Sequence, residues 1–376
     1  MVFNSMLDKI NSLKYFYWKK DFKLESGSTL PGFQLAYETY GNLNPPRTNV
    51  ILIFHALSGS SHVYKDESEI GGWWDEMVGV GKPFDPSKYY IICVNILGGC
   101  YGSTGPSSIN PETKKPFGLS FPIITVHDII RSIKLLIDHL NIESILAVTG
   151  GSLGGFQTLD WAVSFPNITQ SVIPIATASY ATTFNIAFNE VQRQAIFSDP
   201  NWNNGNYYDG EPPNVGLRLA REIGHITYLS EASMKEKFGR DLRYNPEYEF
   251  QFKEEFEVES YLQYKGTSFT KRFDANSYLY ITKTIDYFDL RKDGNLSTMF
   301  LRLKDIKFLV ISFSSDWLYP TSQSREIVYA LKSNGIETSF VEIKTSYGHD
   351  SFLVRCADLR IVVANFLKNL NLQGKK

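Results

Sequence analysis

Apolar residues in this chain gather into short unbroken runs, set apart by stretches of helical periodicity. The runs at 49–54 (N-V-I-L-I-F), 89–96 (Y-Y-I-I-C-V-N-I) and 307–313 (K-F-L-V-I-S-F) show no alternation. A strand with no polar face predicts burial on both sides, as in a parallel sheet covered by helices. Shorter runs beginning at 145 (I-L-A-V-T) and at 172 (V-I-P-I) read the same way. Residues 15–24 and 33–40 alternate loosely and read as strands, separated by turns at Ser26-Gly27-Ser28 and Leu30-Pro31-Gly32. Residues 338–343 alternate as a final strand. Val126, Ile129, Ile130, Ile133, Leu136, Ile137 and Leu140 recur at helical spacing, with Thr125 as N-cap and Asp128 in capping-box position. Residues 325–332 read as helix. So does the closing stretch, with Phe352, Cys356, Leu359, Val363 and Phe366 on one face.

Strand and helix alternate up to about residue 177 and again from 305, which predicts an α/β fold with a mostly parallel central sheet and helices on both faces. Between 178 and 304 the long buried runs stop. Amphipathic segments rich in aromatic and charged residues take their place, including helical periodicity over 217–230 and a polar loop over 201–213. Such an insertion predicts a helical lid, residues 178–304, on a core of residues 1–177 and 305–376. Its aromatic content argues against a disordered linker.

Composition narrows the partners more than the fold. The chain has 376 residues, 43% of them hydrophobic, and a formal net charge of -2. That balance gives no electrostatic case for nucleic acid or an anionic membrane. Its three cysteines, Cys93, Cys100 and Cys356, have neither disulfide nor zinc spacing, and fit a reducing compartment. No metal set is expected. Asp8 and Lys9 interrupt any leader-like apolar run, and no stretch approaches the length of a membrane span. The expectation is a soluble cytoplasmic protein.

Chemistry enters at Gly150-Gly151-Ser152-Leu153-Gly154. This is a G-x-S-x-G pattern between an apolar run and a helix former's mixture, where a nucleophile elbow belongs. Taken alone, such a pattern is also a glycine-rich turn with no chemistry. A serine hydroxyl needs a base, and the base needs an orienting group. In the α/β-hydrolase arrangement the order along the chain is Ser, acid, His, each at a strand exit. Of the six histidines, only His349 follows a late strand, on a glycine-flanked loop. His55 and His62 come too early, His225 lies in the lid, and His127 and His139 read as surface or packing residues. Asp316 ends the run at 307–313 and is the candidate acid, ahead of Asp286, Asp289 and Asp293. The backbone N–H groups of Leu153 and Leu57 are the candidate oxyanion donors. The four glycines of 98–105 fit no phosphate-loop spacing and read as a tight loop lining a pocket. To this point the residues support a serine acyl-enzyme and leave a hydrolase, an acyltransferase and a non-catalytic scaffold open.

The segments H-A-L-S-G (55–59), N-I-L-G-G-C-Y-G-S-T-G-P-S-S (95–108), G-G-S-L-G-G-F-Q (150–157), A-R-E-I-G-H-I-T-Y-L-S (220–230), S-S-D-W-L-Y-P (314–320) and Y-G-H-D-S-F (347–352) together resemble the homoserine O-acetyltransferase family. Leu153, where the family usually has methionine, and Tyr101, where lysine or glutamine is common, depart from it. The resemblance implies ping-pong transfer of an acetyl group from the co-substrate acetyl-CoA to the hydroxyl of L-homoserine, in methionine synthesis. No resident cofactor is implied. It further implies a cation for the acceptor carboxylate, for which Arg221 is the candidate, and an anion for its ammonium, for which Asp350 is the candidate. It implies a homodimer joined through the lid. Succinyl-CoA as donor, serine as acceptor, and simple ester hydrolysis are the alternatives.

Overall fold

A computed structural model describes residues 12–65, 70–292 and 294–373. The leader-like stretch around Asp8 and the runner-up Asp293 lie outside them. An eight-stranded sheet forms the centre, in the order β1-β2-β4-β3-β5-β6-β7-β8. The strands are β1 (Lys14–Lys23), β2 (Thr29–Tyr40), β3 (Val50–Phe54), β4 (Tyr90–Val94), β5 (Ala147–Gly151), β6 (Ser171–Ile175), β7 (Lys307–Phe313) and β8 (Thr338–Ile343). From β4 to β8 all neighbours are parallel, while β1 and β2 join antiparallel at one edge.

The unbroken runs are explained by burial from both faces. In β3, Val50, Leu52 and Phe54 enter one apolar cluster, and Ile51 and Ile53 enter another on the opposite face. The first cluster packs under helices α1 (Val126–His139) and α2 (Leu153–Ser164). The second packs under the loop carrying Trp74 and Met77 and under the C-terminal helix (Ala357–Gln373), through Leu359, Val363 and Leu367. Edge strand β8 has only its last residue buried, which is why its sequence alternates. The capping box of α1 forms as expected: Asp128 N–H donates to Thr125 Oγ1 at 3.2 Å, and Thr125 N–H donates to Asp128 Oδ2 at 3.1 Å.

One turn differs from expectation. Leu30, Pro31 and Gly32 lie inside β2, opposite Leu30-to-Phe33 partners on β1 that carry a bulge between Trp18 and Asp21. Proline is tolerated because this half of β2 pairs only with β1; β4 meets β2 from Tyr37 onward. Gly32 has φ +82, a left-handed conformation that its lack of Cβ allows.

Between β6 and β7 the described residues form α3 (Thr183–Phe197), α4 (Asn214–Tyr228), α5 (Glu231–Phe238), α6 (Glu257–Thr270), α7 (Ala275–Asp286) and α8 (Leu296–Phe300). Helix α7 is buried along nearly its whole length and is tied to the sheet domain. Tyr280 Oη donates to Leu119 O at 3.1 Å, and Thr284 Oγ1 donates to Ile124 O at 3.0 Å.

The sheet order fixes where a site can form. From β3 the chain crosses to β4 on one side, and then returns to β5 on the other side of β3. The loops leaving the carboxyl ends of β3 and β5 therefore diverge, and a crevice opens between them. His55-Ala56-Leu57 leaves one strand and Ser152 leaves the other.

Candidate active site

Ser152 stands between the end of β5 and the start of α2 with φ 59 and ψ -123. A non-glycine residue holds that conformation only where its surroundings over-determine it. Here Ser152 N–H donates to Ile175 O at 3.1 Å, and Thr177 Oγ1 donates to Ser152 O at 3.0 Å. The glycines beside it serve close approach. A Cβ on Gly154 would lie 2.2 Å from Phe54 O, and one on Gly151 would lie 2.5 Å from the Phe352 ring.

Asp316 follows β7, and His349 lies in a short 3₁₀ turn, Gly348–Phe352, after β8. The two meet: His349 Nδ1 is 2.7 Å from Asp316 Oδ2. The other carboxylate oxygen accepts from Leu318 N–H at 3.0 Å and Tyr319 N–H at 2.9 Å, which fixes the acid in orientation. Burial lowers the basicity of His349, but the charges of Asp316 and then Asp350 more than offset it, so its pKa is raised. Its other nitrogen, Nε2, is buried and has no hydrogen-bond partner among the described residues. Ser152 and His349 line one cavity of about 110 Å³. The phenol of Tyr319 also lines this cavity, and burial, then the charge of Asp316, raises its pKa. Nucleophile–base contacts are often loose without substrate. Asp286, the runner-up acid, is instead paired with Arg193 at 2.7 Å, and Asp289 with Arg291 at 2.9 Å.

Leu57 lines the same cavity. Leu153 is the first residue of α2, so its N–H is one of those with no acceptor inside the helix. Arg221, on α4, and Asp350 also line this cavity. Arg221 Nη1 donates to Ser58 Oγ at 3.3 Å, and its guanidinium lies over the rings of Phe269 (4.6 Å) and Tyr228 (5.3 Å). The helix-surface salt bridge on α4 is made by its neighbours, Arg218 and Glu222, at 3.1 Å. Asp350 sits inside the 3₁₀ turn and caps no helix. Burial raises its carboxyl pKa, and His349 and Arg221 pull it back in part. It keeps some accessible surface because it faces the cavity.

Three contributors escaped the sequence reading. Tyr228 is seven residues beyond Arg221, two helical turns on, and shares its face; that spacing was a usable signal. Tyr319 packs against His349 with the rings tilted by 36° and their centroids 5.1 Å apart. Arg272 donates from Nη1 to Tyr101 Oη at 2.8 Å and lines a second cavity of about 280 Å³, which shares Ala56, Ser58, Arg221 and Leu353 with the first. Tyr101, the departure from the family pattern, thus stands at this second cavity. Its phenol is pushed up to about 12 by burial, against the Arg272 charge. His62 is 3.0 Å from the buried Glu38 carboxylate, a contact that no local spacing announces. A wider concavity along residues 240–250, about 980 Å³, is open to solvent and holds no serine, cysteine or histidine. Among the described residues no cluster of histidine, cysteine and carboxylate side chains could hold a metal, and no helix is long and apolar enough to cross a membrane.

Residues 49–355 match the family model for the alpha/beta hydrolase fold. The chain is 55% identical over 358 residues to the homoserine O-acetyltransferase of Methanohalobium evestigatum, covering 95% of this chain and 73% of that protein. It is 51% identical over 351 residues to the homoserine O-acetyltransferase of Solidesulfovibrio magneticus, covering 92% and 88%. Among solved structures, homoserine O-acetyltransferase from Bacillus anthracis superposes with a TM-score of 0.87 at 28% identity, covering 96% of this chain and 97% of that one. Esterase E22 superposes with a TM-score of 0.87 at 29% identity, covering 94% and 99%. A strained serine at a strand-to-helix turn, a buried His–Asp pair at the ends of later strands, and identity above one half to curated relatives agree: the chain belongs to the homoserine O-acetyltransferase family of the alpha/beta hydrolase fold.

Proposed function

We propose that this protein transfers an acetyl group from acetyl-CoA to the hydroxyl of L-homoserine through an acyl-enzyme on Ser152. The observation that carries the acceptor is the placement of Arg221 and Asp350, of opposite charge, on the wall of the cavity that Ser152 and His349 line. A zwitterionic amino acid needs a cation for its carboxylate and an anion for its ammonium. Guanidinium suits the first because it pairs a carboxylate with two parallel bonds. The names of the relatives support acetyl as the group and homoserine as its acceptor.

His349 Nε2 takes the Ser152 proton as Oγ attacks the thioester carbonyl. The N–H groups of Leu57 and Leu153 hold the tetrahedral oxyanion. The C–S bond breaks, and His349 returns the proton to the departing thiolate. Then His349 Nε2 takes the proton of the homoserine hydroxyl. That oxygen attacks the acetyl carbon, and Ser152 leaves with the proton. Asp316 holds the imidazole in the required tautomer throughout.

In this reading residues 178–304 are a cap on a core of residues 1–177 and 305–376. The cap excludes water, so the acceptor outcompetes hydrolysis. Exposed Phe184 and Val191 on α3 and Val215 and Ile226 on α4 give the cap an apolar outer face suited to a homodimer. Cys93, Cys100 and Cys356 are free thiols, in keeping with a cytoplasmic setting.

The likeness to esterase E22 supports a second reading, ester hydrolysis, because fold and triad do not choose the acyl acceptor. CoA release decides between them. Acetyl-CoA or succinyl-CoA is supplied with homoserine, serine or water. Acetyl-CoA with homoserine should turn over fastest; water supporting equal turnover would end the transferase reading.

A further inference from the structure

His55 is the first residue beyond β3 and is almost fully buried. Its imidazole is spent on the chain's own backbone. Nδ1 lies 2.8 Å from Ala56 O, and Nε2 receives the Ile96 N–H at 3.2 Å. A carbonyl oxygen only accepts, so Nδ1 carries the proton. An amide N–H only donates, so Nε2 is bare. One tautomer of the neutral ring satisfies both contacts. Burial keeps the ring neutral by lowering its pKa to about 4, against the Ala56 hydrogen bond.

The same Ala56 oxygen also accepts Gly59 N–H at 3.0 Å. The ring packs on Gly59, where a Cβ would lie 2.8 Å from His55 Cβ. The His55 carbonyl in turn accepts from Gln157 Nε2 at 3.2 Å, which ties this loop to the helix that follows Ser152.

The consequence is a matter of peptide geometry. Ala56 O and Leu57 N–H belong to one peptide unit, and in a trans peptide they point opposite ways. Two donors hold the oxygen into the protein, which turns the N–H toward the cavity that Leu57 lines. A flipped peptide would present a carbonyl oxygen to the developing oxyanion and repel it.

We propose that His55 is a positioning residue for acyl transfer: as the Nδ1–H tautomer it locks the Ala56–Leu57 peptide so that Leu57 N–H donates to the oxyanion formed at Ser152. This rests on the acyl-enzyme reading above. A histidine that merely filled the core would cost stability and move kcat and KM together. A peptide lock acts where charge develops, so its loss falls on the acylation rate.

The test compares His55→Asn, His55→Gln and His55→Ala. Asparagine places an amide N–H near the position of Nδ1; glutamine reaches toward Nε2 instead. Thiol release in the acylation burst should fall about 100-fold in His55→Gln and His55→Ala, with thioester KM within about threefold, while His55→Asn stays within about tenfold of wild type. Wild-type acylation in His55→Ala, or His55→Gln outperforming His55→Asn, would overturn the proposal. Nitrogen spectra of histidine-labelled wild-type protein test the tautomer without any variant having to fold. Protonated Nδ1 and bare Nε2 at neutral pH are expected, and the opposite tautomer or an imidazolium overturns the lock. If the wild type forms no adduct on Ser152, the acyl-enzyme reading fails and takes the oxyanion role with it; unchanged acylation in His55→Ala removes His55 alone.

Discussion

His349 Nδ1 meets Asp316 Oδ2 at 2.7 Å although 33 residues separate them, and both side chains are buried. With the second oxygen of Asp316 held by two backbone N–H groups, the imidazole has one orientation, and its Nε2 is turned to the cavity side. Asp316→Asn preserves the shape and removes the charge, which favours the wrong tautomer. Acylation by acetyl-CoA, followed as thiol release, should fall about 10³- to 10⁴-fold with little change in thermal stability.

If His349 is the base, its raised pKa should set the acid limb of the rate profile. The base must be neutral to accept a proton, so kcat/KM should fall as pH falls through a midpoint above the ordinary histidine value of about 6.5. Asp316→Asn should move that midpoint to lower pH, because it removes the larger of the two charges that raise it. A midpoint that stays put in the variant would show that another group titrates.

Stability should follow a different pair of histidines. Burial, first of all, lowers His55 to about 4 and His225 to about 3, the latter with help from the Arg221 charge. The unfolded chain binds protons at both sites from about pH 6.5 downward while the folded chain does not, so stability falls as pH falls through that window. Each group contributes up to about 1.4 kcal/mol per pH unit there. His349 has the opposite sign: its contribution is full below the unfolded value and is lost as pH rises through its own raised pKa. His127, raised by its hydrogen bond to Asp160, has the same sign as His349. Both contributions are nearly complete below about pH 6, so His55 and His225 should dominate a net loss between about pH 6 and 5, measured by denaturant midpoints and shallower in His225→Gln.

Arg221→Ala should separate the half-reactions. Acylation of Ser152 needs no acceptor and should stay within about threefold. Homoserine KM should rise about 10- to 100-fold, the worth of a charged hydrogen bond. Because Arg221 also packs on Phe269 and Tyr228, Arg221→Lys is the control that keeps charge and loses the fork. An unchanged homoserine KM would remove Arg221 from the acceptor site.

Two glycine substitutions should differ in kind. At Gly154 a Cβ would lie 2.2 Å from Phe54 O, so Gly154→Ala forces β3 and the elbow apart and should cost several kcal/mol or prevent soluble folding. At Gly335, φ is +70 and a Cβ meets nothing within 4 Å, so Gly335→Ala should cost only about 1–2 kcal/mol of backbone strain. Equal melting temperatures for the two would refute the close-approach account.

What the sequence determined by itself was local. Unbroken apolar runs such as Val50–Phe54 marked strands buried on both faces, since no polar face was left for water. The capping box at Thr125 and Asp128 marked a helix start, because its bonds span three residues. G-x-S-x-G marked the elbow, because the clash it avoids lies within one turn. Tertiary structure decided what depends on strands distant in sequence arriving at one crevice. It set Asp316 against His349, and spent Asp286 on Arg193. It brought Arg221 and Asp350 to one cavity. It turned Leu30-Pro31-Gly32 into strand, because the open side of β2 leaves no partner for the missing N–H to disappoint. His55, set aside as too early in the chain to be a base, holds a local contact to Ala56 O, but the Ile96 N–H that fixes its Nε2 arrives only once β3 and β4 lie side by side.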